Sequence, residues 1–186
     1  MEKTTKYSIF RTKWGYFGLV GTEFGLLRSC LPGPEPEKIK SHLLRNFSLI
    51  SRESGIENRV SRIEFDKNYF KTAQEQITAY FEGICVNFSN IPTILHGFSQ
   101  FNRSVLTACQ HIKFGKTVSY SELAKKIGRP DAARAVGNAL AKNPLPLIIP
   151  CHRVIRSDGK MGGFSTPGGV IRKKAMLELE RKALGT

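Results

Sequence analysis

A helix-turn-helix pattern constrains the fold of this chain more than any other feature, and it lies in the segment KTVSYSELAKKIGRPDAARAVGNALAKNP. Ser119 and Glu122 have the S-x-x-E spacing of a capping box, which predicts that a helix begins there. Gly128 ends that helix, and a second helix of small residues is predicted from about Asp131 to Ala141. Two short helices around a glycine-containing turn are typical of proteins that place the second helix in a groove of DNA.

Positive charge is concentrated in the half of the chain that carries this pattern. The 186 residues hold 29 Lys and Arg side chains against 15 Asp and Glu, a formal net charge of +14. Residues 1–97 carry 13 basic and 10 acidic side chains, whereas residues 98–186 carry 16 and five, a net charge of +11. Scattered surface lysines also give a basic protein, but the concentration in one half favours a nucleic-acid contact there.

The first half of the chain has the pattern of a separate small domain. YSIFRT and YFGLVGT are short and rich in aromatic and β-branched residues, and the KWG link between them predicts a hairpin. A third strand is predicted over GLLRSC, before a Pro-rich loop. We predict helices over residues 37–53 and 67–83 and a strand over VNFSNIP. The expected domains are therefore residues 1–97 and 98–186.

The four cysteines are far apart in the sequence and form no CxxC pair: Cys30, Cys85, Cys109 and Cys151. We therefore expect neither a zinc site nor a disulfide framework, and no metal or other cofactor. Cys85 and Cys109 lie in apolar runs, which is typical of buried packing thiols.

Cys151 has different surroundings, in the segment LPLIIPCHRVIRSDGKMGGFSTPGG. A short apolar run that we expect to be buried precedes it, and His152, Arg153 and Arg156 follow closely. A thiol is nucleophilic as its thiolate, and nearby cations or an imidazole base lower its pKa. A packing thiol at the end of a strand is the alternative, but the basic neighbours and the following Gly-rich loop favour a reactive cysteine.

This segment resembles the active-site signature of the O6-alkylguanine-DNA alkyltransferases, through PCHRV preceded by NPLPLII. TVSYSELA, AARAVGNALAKNP, PCHRVIRSDGKMGGFS and a Gly-Gly helix start all occur in the order and near the spacing of that family. The resemblance is strong over about residues 98–182 and loose over residues 1–97. It implies an α+β fold, with an N-terminal α/β domain that has a small antiparallel, ribonuclease-H-like sheet and a mostly helical C-terminal winged helix-turn-helix domain.

The resemblance also implies chemical roles for the matching residues. Cys151 would accept the alkyl group irreversibly, and His152 would deprotonate it through a water. Glu180 would orient the imidazole, as in other relays of thiol, imidazole and carboxylate. Asn143 would tie the turn before the active-site strand to the backbone near Cys151.

DNA contacts are implied as well. Arg134 would fill the space that an extruded nucleotide leaves, and Tyr120 would help to rotate the target outward and donate its hydroxyl to the guanine ring. Further DNA contacts are expected at Ala135, Gly137 and Arg153. The base would lie among the Val154 carbonyl, the Ser165 amide, Phe164 and Leu140.

Each role has a structural alternative. His152 could cap a strand, Glu180 could be a surface partner of Arg181 or Lys173, and Arg134 could be an ordinary phosphate contact. The protein as a whole could be a lesion binder without transfer activity, like the alkyltransferase-like proteins, but those lack the acceptor cysteine. A thiol hydrolase usually takes its histidine from a distant segment, and a plain winged-helix transcription factor needs no PCHR segment.

The expected partner is double-stranded DNA that contains O6-alkylguanine, with O4-alkylthymine as a possible second lesion. The sequence has no run of about 18 apolar residues, so no membrane span is predicted. MEKTTKYSIF lacks the features of a signal peptide. We expect an intracellular monomer, cytoplasmic or, in a eukaryote, nuclear, with no obligatory protein partner.

Overall fold

The computed structural model describes residues 4–45 and 63–185 of the chain. These residues form two compact units. The first takes its described residues from Met1–Glu82 and Asn90–Phe98, and the second takes them from Gly83–Ser89 and Ser99–Thr186. The short segment Gly83–Ser89 therefore packs with the second unit, although residues of the first unit precede and follow it in the sequence.

A four-stranded sheet of order β3-β2-β1-β4 forms the first unit together with two helices. The strands and helices are β1 (Thr5–Thr12), β2 (Gly15–Thr22), β3 (Gly25–Gly33), α1 (Pro36–Leu44), β4 (Ile63–Phe65) and α2 (Lys71–Phe81). The first three strands pair antiparallel, and β4 pairs parallel to β1. The predicted hairpin is confirmed: Thr12 pairs with Gly15, whose φ of +121° suits glycine at this tight turn.

The core of the first unit consists of apolar side chains of the strands and of the two helices. Phe17, Leu19 and Val20 of β2 are fully buried, as are Leu43 of α1 and Ile77 of α2. Successive side chains of a strand point to opposite faces, so the burial of both Leu19 and Val20 means that both faces of β2 are covered. Val20 packs in a cluster with Leu43 of α1, whereas the Phe17 ring contacts Phe81 of α2. The third predicted strand is present as β3.

Three predictions for this half need correction. The helix predicted over residues 37–53 ends at Leu44, since Arg45 has ψ of 128°, and residues 46–53 lie outside the described part. The helix predicted over residues 67–83 begins only at Lys71, because the preceding residues turn on the Asp66 side chain, which accepts the Asn68 N–H at 3.0 Å.

The strand predicted over VNFSNIP is also wrong. Residues 86–92 form no described ladder, and pairing is limited to an isolated bridge between Leu26 and Thr93. Cys85, at the start of this stretch, is exposed and not the buried packing thiol that its apolar neighbours predicted. Short apolar runs occur in strands and in extended loops alike, so the pattern did not distinguish the two.

The second unit is mostly helical. Its elements are α3 (Gln100–Gln110), β5 (Val118–Ser119), α4 (Tyr120–Lys126), α5 (Ala133–Ala141), a 3-10 turn (Cys151–Arg153), β6 (Val154–Ile155) and α6 (Gly169–Ala183). The capping box at the start of α4 is present, with the Glu122 N–H bonded to Ser119 Oγ at 3.1 Å and the Ser119 N–H bonded to the Glu122 carboxylate. Helices α4 and α5 thus form the predicted helical pair.

The two units together have the predicted α+β composition, with a small, mostly antiparallel sheet and a helical C-terminal region. Strands β5 and β6 of the second unit pair parallel and are only two residues long, which is too short for a sequence pattern to reveal. Within residues 4–45 and 63–185, no helix is both long and apolar enough to cross a membrane.

Candidate active site

The segment that leads to Cys151 is buried but is not a strand. Leu147, Ile148 and Ile149 are each 0% exposed, as the apolar run predicted. The backbone is irregular, with Leu147 at φ +79° and the Ile149 N–H bonded to the Leu145 carbonyl at 2.8 Å. A left-handed backbone at a leucine is costly and persists only where packing holds it. The expected active-site strand is therefore wrong, and a packed loop positions the cysteine.

Asn143 fastens the end of helix α5 to this loop. Its side-chain oxygen accepts the Leu145 N–H at 3.0 Å. Its amide nitrogen donates to the Ile149 carbonyl at 2.8 Å and to Cys151 Sγ at 3.1 Å. Asn143 therefore lies where the resemblance places it, and it contacts the sulfur as well as the backbone.

Cys151 begins the 3-10 turn and is 8% exposed. Burial raises the pKa of its thiol, although the Asn143 hydrogen bond and the charge of Lys173 act in the opposite direction. The expectation that nearby cations lower this pKa is wrong for the net effect, because desolvation of a thiolate outweighs them. A thiol with a raised pKa rests protonated, and it becomes a strong nucleophile only after a base removes its proton.

His152 and Glu180 form a buried pair next to this thiol. His152 Nε2 lies 2.7 Å from Glu180 Oε1, and both residues are fully buried. Glu180 Oε2 accepts the Gly115 N–H at 2.8 Å. Glu180 is therefore not the surface partner that the structural alternative described. Lys173 bonds to backbone carbonyls instead, and Arg181 pairs with Glu178.

The protonation states of this pair follow from their surroundings. Burial lowers the pKa of His152, against the opposing hydrogen bond and charge of Glu180. For Glu180, burial opposes ionisation, but the hydrogen bonds and charges of His152 and Arg153 hold its pKa well below the usual range. The resting pair is thus a carboxylate beside a neutral imidazole that donates Nε2–H, which leaves the lone pair on Nδ1 to accept a proton.

Arg153 does not lie where a DNA contact requires it. Its side chain is buried, with 3% of the residue exposed, and its guanidinium donates to Glu180 and to the Ile112 carbonyl. The prediction that Arg153 contacts DNA is wrong, because its donors face inward.

A cleft of about 670 Å³ opens over Cys151. It contains seven of the residues predicted for DNA or base contact and catalysis, together with residues that the sequence did not indicate. The predicted members are Tyr120, Arg134, Gly137, Leu140, Cys151, Phe164 and Ser165, and the others are Ser121, Ala133, Ala141, Arg156, Ser157, Gly162 and Gly163. Volumes of this size are typical of small-molecule sites, so the cleft has room for a single nucleobase.

Besides Arg153, two predicted contact residues lie outside the cleft lining. Val154 is 0% exposed, and its carbonyl accepts a hydrogen bond from Lys173 Nζ at 2.6 Å. The contact of the Val154 carbonyl with the base therefore stays a prediction. Ala135 is exposed on helix α5 beside Arg134, which is exposed as well.

Comparisons with known proteins agree with this geometry. The family described as "6-O-methylguanine DNA methyltransferase, DNA binding domain" matches residues 100–182. A methylated-DNA--protein-cysteine methyltransferase of Methanosarcina acetivorans is 34% identical over 174 residues, which cover 94% of this chain and 97% of that protein. The chain belongs to the methylated-DNA--protein-cysteine methyltransferase family.

Other members of this family of DNA-repair enzymes are similar over parts of the chain or over its fold. The Mycolicibacterium paratuberculosis methyltransferase is 48% identical over 113 residues, which cover 61% of this chain and 66% of that protein. The crystal structure of Mycobacterium tuberculosis OGT in complex with DNA has a TM-score of 0.73 and 32% identity, over 96% of this chain and 94% of that one. The methyltransferase resemblance and the α+β fold class are thereby confirmed.

Lys173 is the main residue of the site that the sequence did not indicate. It is 0% exposed, donates to the Val154 carbonyl, and lies 5.8 Å from the centroid of the Tyr120 ring. Burial lowers the pKa of its ammonium group, against the effect of the nearby thiols of Cys151 and Cys109. Lys173, Met176 and Glu180 are the buried residues of α6, and their spacing of three and seven was the available signal.

Gly162 gives space to the Tyr120 hydroxyl. A Cβ atom at Gly162, whose φ is +67°, would lie 2.7 Å from Tyr120 Oη. We expect Gly162→Ala to push the Tyr120 ring from its position and to slow alkyl transfer by about a hundredfold, as loss of one aligned hydrogen-bond donor does. Gly159→Ala is the matched control, since Gly159 has a similar φ of +78° with nothing within 4 Å. Single-turnover rates measure both, and equal effects would mean that backbone strain, not Tyr120, is responsible.

Proposed function

We propose that this methyltransferase repairs O6-alkylguanine in duplex DNA, by transferring the alkyl group irreversibly to Cys151. The observation that carries the proposal is a thiol in the cleft, bonded to Asn143 and followed directly by His152, which forms a buried pair with Glu180 of α6. We extend the proposal to O4-alkylthymine as a second lesion, to a monomer acting alone, and to an intracellular location where DNA is present.

The buried position of the sulfur requires that the target base leave the helix. The O6 atom of guanine faces the partner base inside a duplex, so the cysteine cannot approach the alkyl carbon in line while the base is stacked. Extruding a nucleotide costs a few kcal/mol, and less for a damaged pair. The cleft over Cys151 has the volume to receive the extruded base.

The chemical step is a displacement at carbon. His152 accepts the thiol proton, the sulfur forms a bond to the alkyl carbon, and the bond from that carbon to guanine O6 breaks. Burial and the neighbouring thiols raise the pKa of Tyr120, so its hydroxyl stays protonated and can donate a hydrogen bond to the departing guanine. The departing guanine takes up one proton, and His152 releases the proton that it took from the thiol, so the reaction consumes and produces no proton overall.

The product explains why each molecule would act once. A thioether has a very poor leaving group, and no residue of the site activates water against it in this scheme. The alkyl group therefore stays on Cys151, and the amount of lesion repaired equals the amount of protein.

The intact mass of the protein tests the proposed function. After incubation with duplex DNA that contains O6-methylguanine, we expect a gain of one methylene unit, located on Cys151 by peptide mapping. Unmodified duplex of the same sequence should give no gain. Tight binding to the lesion with no change of mass would contradict transfer and would leave a lesion-binding protein.

Substitution of Arg134 should reduce the rate of repair more than it reduces the affinity for DNA. Its exposed side chain extends from α5 at the cleft, where it can replace a nucleotide in the stack. We expect Arg134→Ala to slow repair by about tenfold or more, while overall binding weakens only about threefold, as for one lost phosphate charge. Arg181→Ala removes one charge from α6 as a control. Equal losses of rate and affinity would reduce Arg134 to a phosphate contact.

A further inference from the structure

Arg153 is a buried guanidinium directly after the proposed base, and it contacts neither the cleft nor the surface. Its Nε donates to both oxygens of Glu180 at 3.1 Å, and its Nη2 donates to Oε1 at 3.0 Å. Nη1 donates to the Ile112 carbonyl at 2.6 Å, and the guanidinium carbon lies 5.6 Å from the centroid of the Phe114 ring. The planar guanidinium is therefore held by the Glu180 carboxylate on one edge and by the Ile112 carbonyl on another.

Glu180 is shared between two basic side chains. Its Oε1 atom lies 2.7 Å from His152 Nε2 and also accepts the Arg153 Nη2 hydrogen bond. A single carboxylate charge thus faces an imidazole that can ionise and a guanidinium that is always charged. Arg153 already balances that charge before His152 accepts any proton.

We propose that Arg153 is a positioning residue that keeps His152 neutral, and so ready to accept the thiol proton, by balancing the charge of Glu180. The proposal rests on the role of His152 as base in the proposed function. Arg153 touches neither Cys151 nor the cleft lining in this scheme, and it acts only through Glu180 and His152.

The charged groups around His152 determine the sign of the expected effect. Glu180 on α6 favours the imidazolium, whereas Arg153 in the 3-10 turn and Lys173 on α6 disfavour it. Burial also disfavours it and is the largest influence on the lowered pKa of His152. Removal of the Arg153 charge leaves Glu180 to act with less opposition, so the His152 pKa must rise. A base with a raised pKa is protonated, and inactive, over a wider range of acidic pH.

Three variants separate charge from shape: Arg153→Gln, Arg153→Lys and the control Arg181→Gln. Single-turnover transfer to O6-methylguanine DNA should be measured from about pH 5 to about pH 9, where an imidazole base titrates. We expect the acid side of the Arg153→Gln profile to move to higher pH, with a loss of rate that is about tenfold greater at the acid end than at the alkaline end. Arg153→Lys should largely restore the profile, and Arg181→Gln, whose partner is the exposed Glu178, should keep it unchanged.

The protonation of His152 can also be read directly, from the NMR shifts of its ring nitrogens during a pH titration of the unmodified protein. We expect the ring to stay neutral below the ordinary histidine pKa of about 6.5, and to titrate at higher pH in Arg153→Gln. The titration of the unmodified protein needs neither a variant that folds well nor alkyl transfer, so its failure differs from failure of the proposed function. A His152 that is charged near neutral pH in the unmodified protein, or profiles that are unchanged in Arg153→Gln, would overturn the proposal.

Discussion

Cys151→Ala should abolish alkyl transfer to the protein completely while the affinity for O6-methylguanine DNA remains. The sulfur is the acceptor in the proposed reaction, and the neighbouring imidazole cannot replace it in the same position. The residue is small and 8% exposed, so its replacement by alanine removes one hydrogen-bond acceptor of Asn143 and little packing volume. Intact mass after incubation with the lesion measures transfer, and titration with labelled duplex measures binding.

Cys85→Ala is the matched control for this substitution. Cys85 is an exposed thiol in the same unit, and it would be the first to react with an alkylating agent that acts without recognition. We expect Cys85→Ala to repair at the rate of the unmodified protein. A mass gain in Cys151→Ala, together with no mass gain in Cys85→Ala, would show that Cys85 and not Cys151 is the acceptor.

Glu180→Gln should slow alkyl transfer on the order of a hundredfold, the usual contribution of a correctly held general base. The amide can still accept the Gly115 N–H, but it carries no negative charge to pair with the Arg153 guanidinium. It can also donate as well as accept, so it no longer selects one tautomer of His152. The same change leaves a buried guanidinium without its counterion, which costs about 3 kcal/mol of folding free energy. Single-turnover kinetics and urea unfolding at neutral pH measure the two effects.

Glu178→Gln controls for the loss of one acidic charge on the same helix. Glu178 is exposed and pairs with Arg181 and Lys182, and surface ion pairs of this kind contribute little to stability. We expect unchanged transfer and nearly unchanged unfolding. If Glu180→Gln were as harmless as Glu178→Gln, the buried network would have no part in catalysis.

The sequence predicted best where several local signals agreed. The capping box at Ser119 and Glu122 and the glycine-containing turn fixed the positions of α4 and α5, since caps and turns depend on neighbours in the chain. The hairpin of β1 and β2 followed from alternation and a short link. The segment around Cys151 carried its own chemical signature in four consecutive residues.

The remaining features depend on contacts between distant residues. Arg153 is buried against Glu180 and does not face DNA. The two residues are 27 positions apart, and a sequence alone cannot show that they meet in the fold. The sequence indicates a surface position for Lys173, because lysine is almost never buried without a partner. Its partners in the fold are backbone carbonyls, which a sequence pattern does not reveal. The hydrogen bond from Lys173 to the Val154 carbonyl could not be expected from the sequence for the same reason.

The segment Gly83–Ser89 belongs to the second unit although it lies between two stretches of the first. Within the second unit, the buried Phe88 accepts a hydrogen bond from the Gln110 side chain through its carbonyl. A fragment cut at residue 98 would lose this piece of its interior. The two halves are therefore interleaved along the polypeptide, and a chimera joined at a single crossover would not exchange one complete unit for that of a relative.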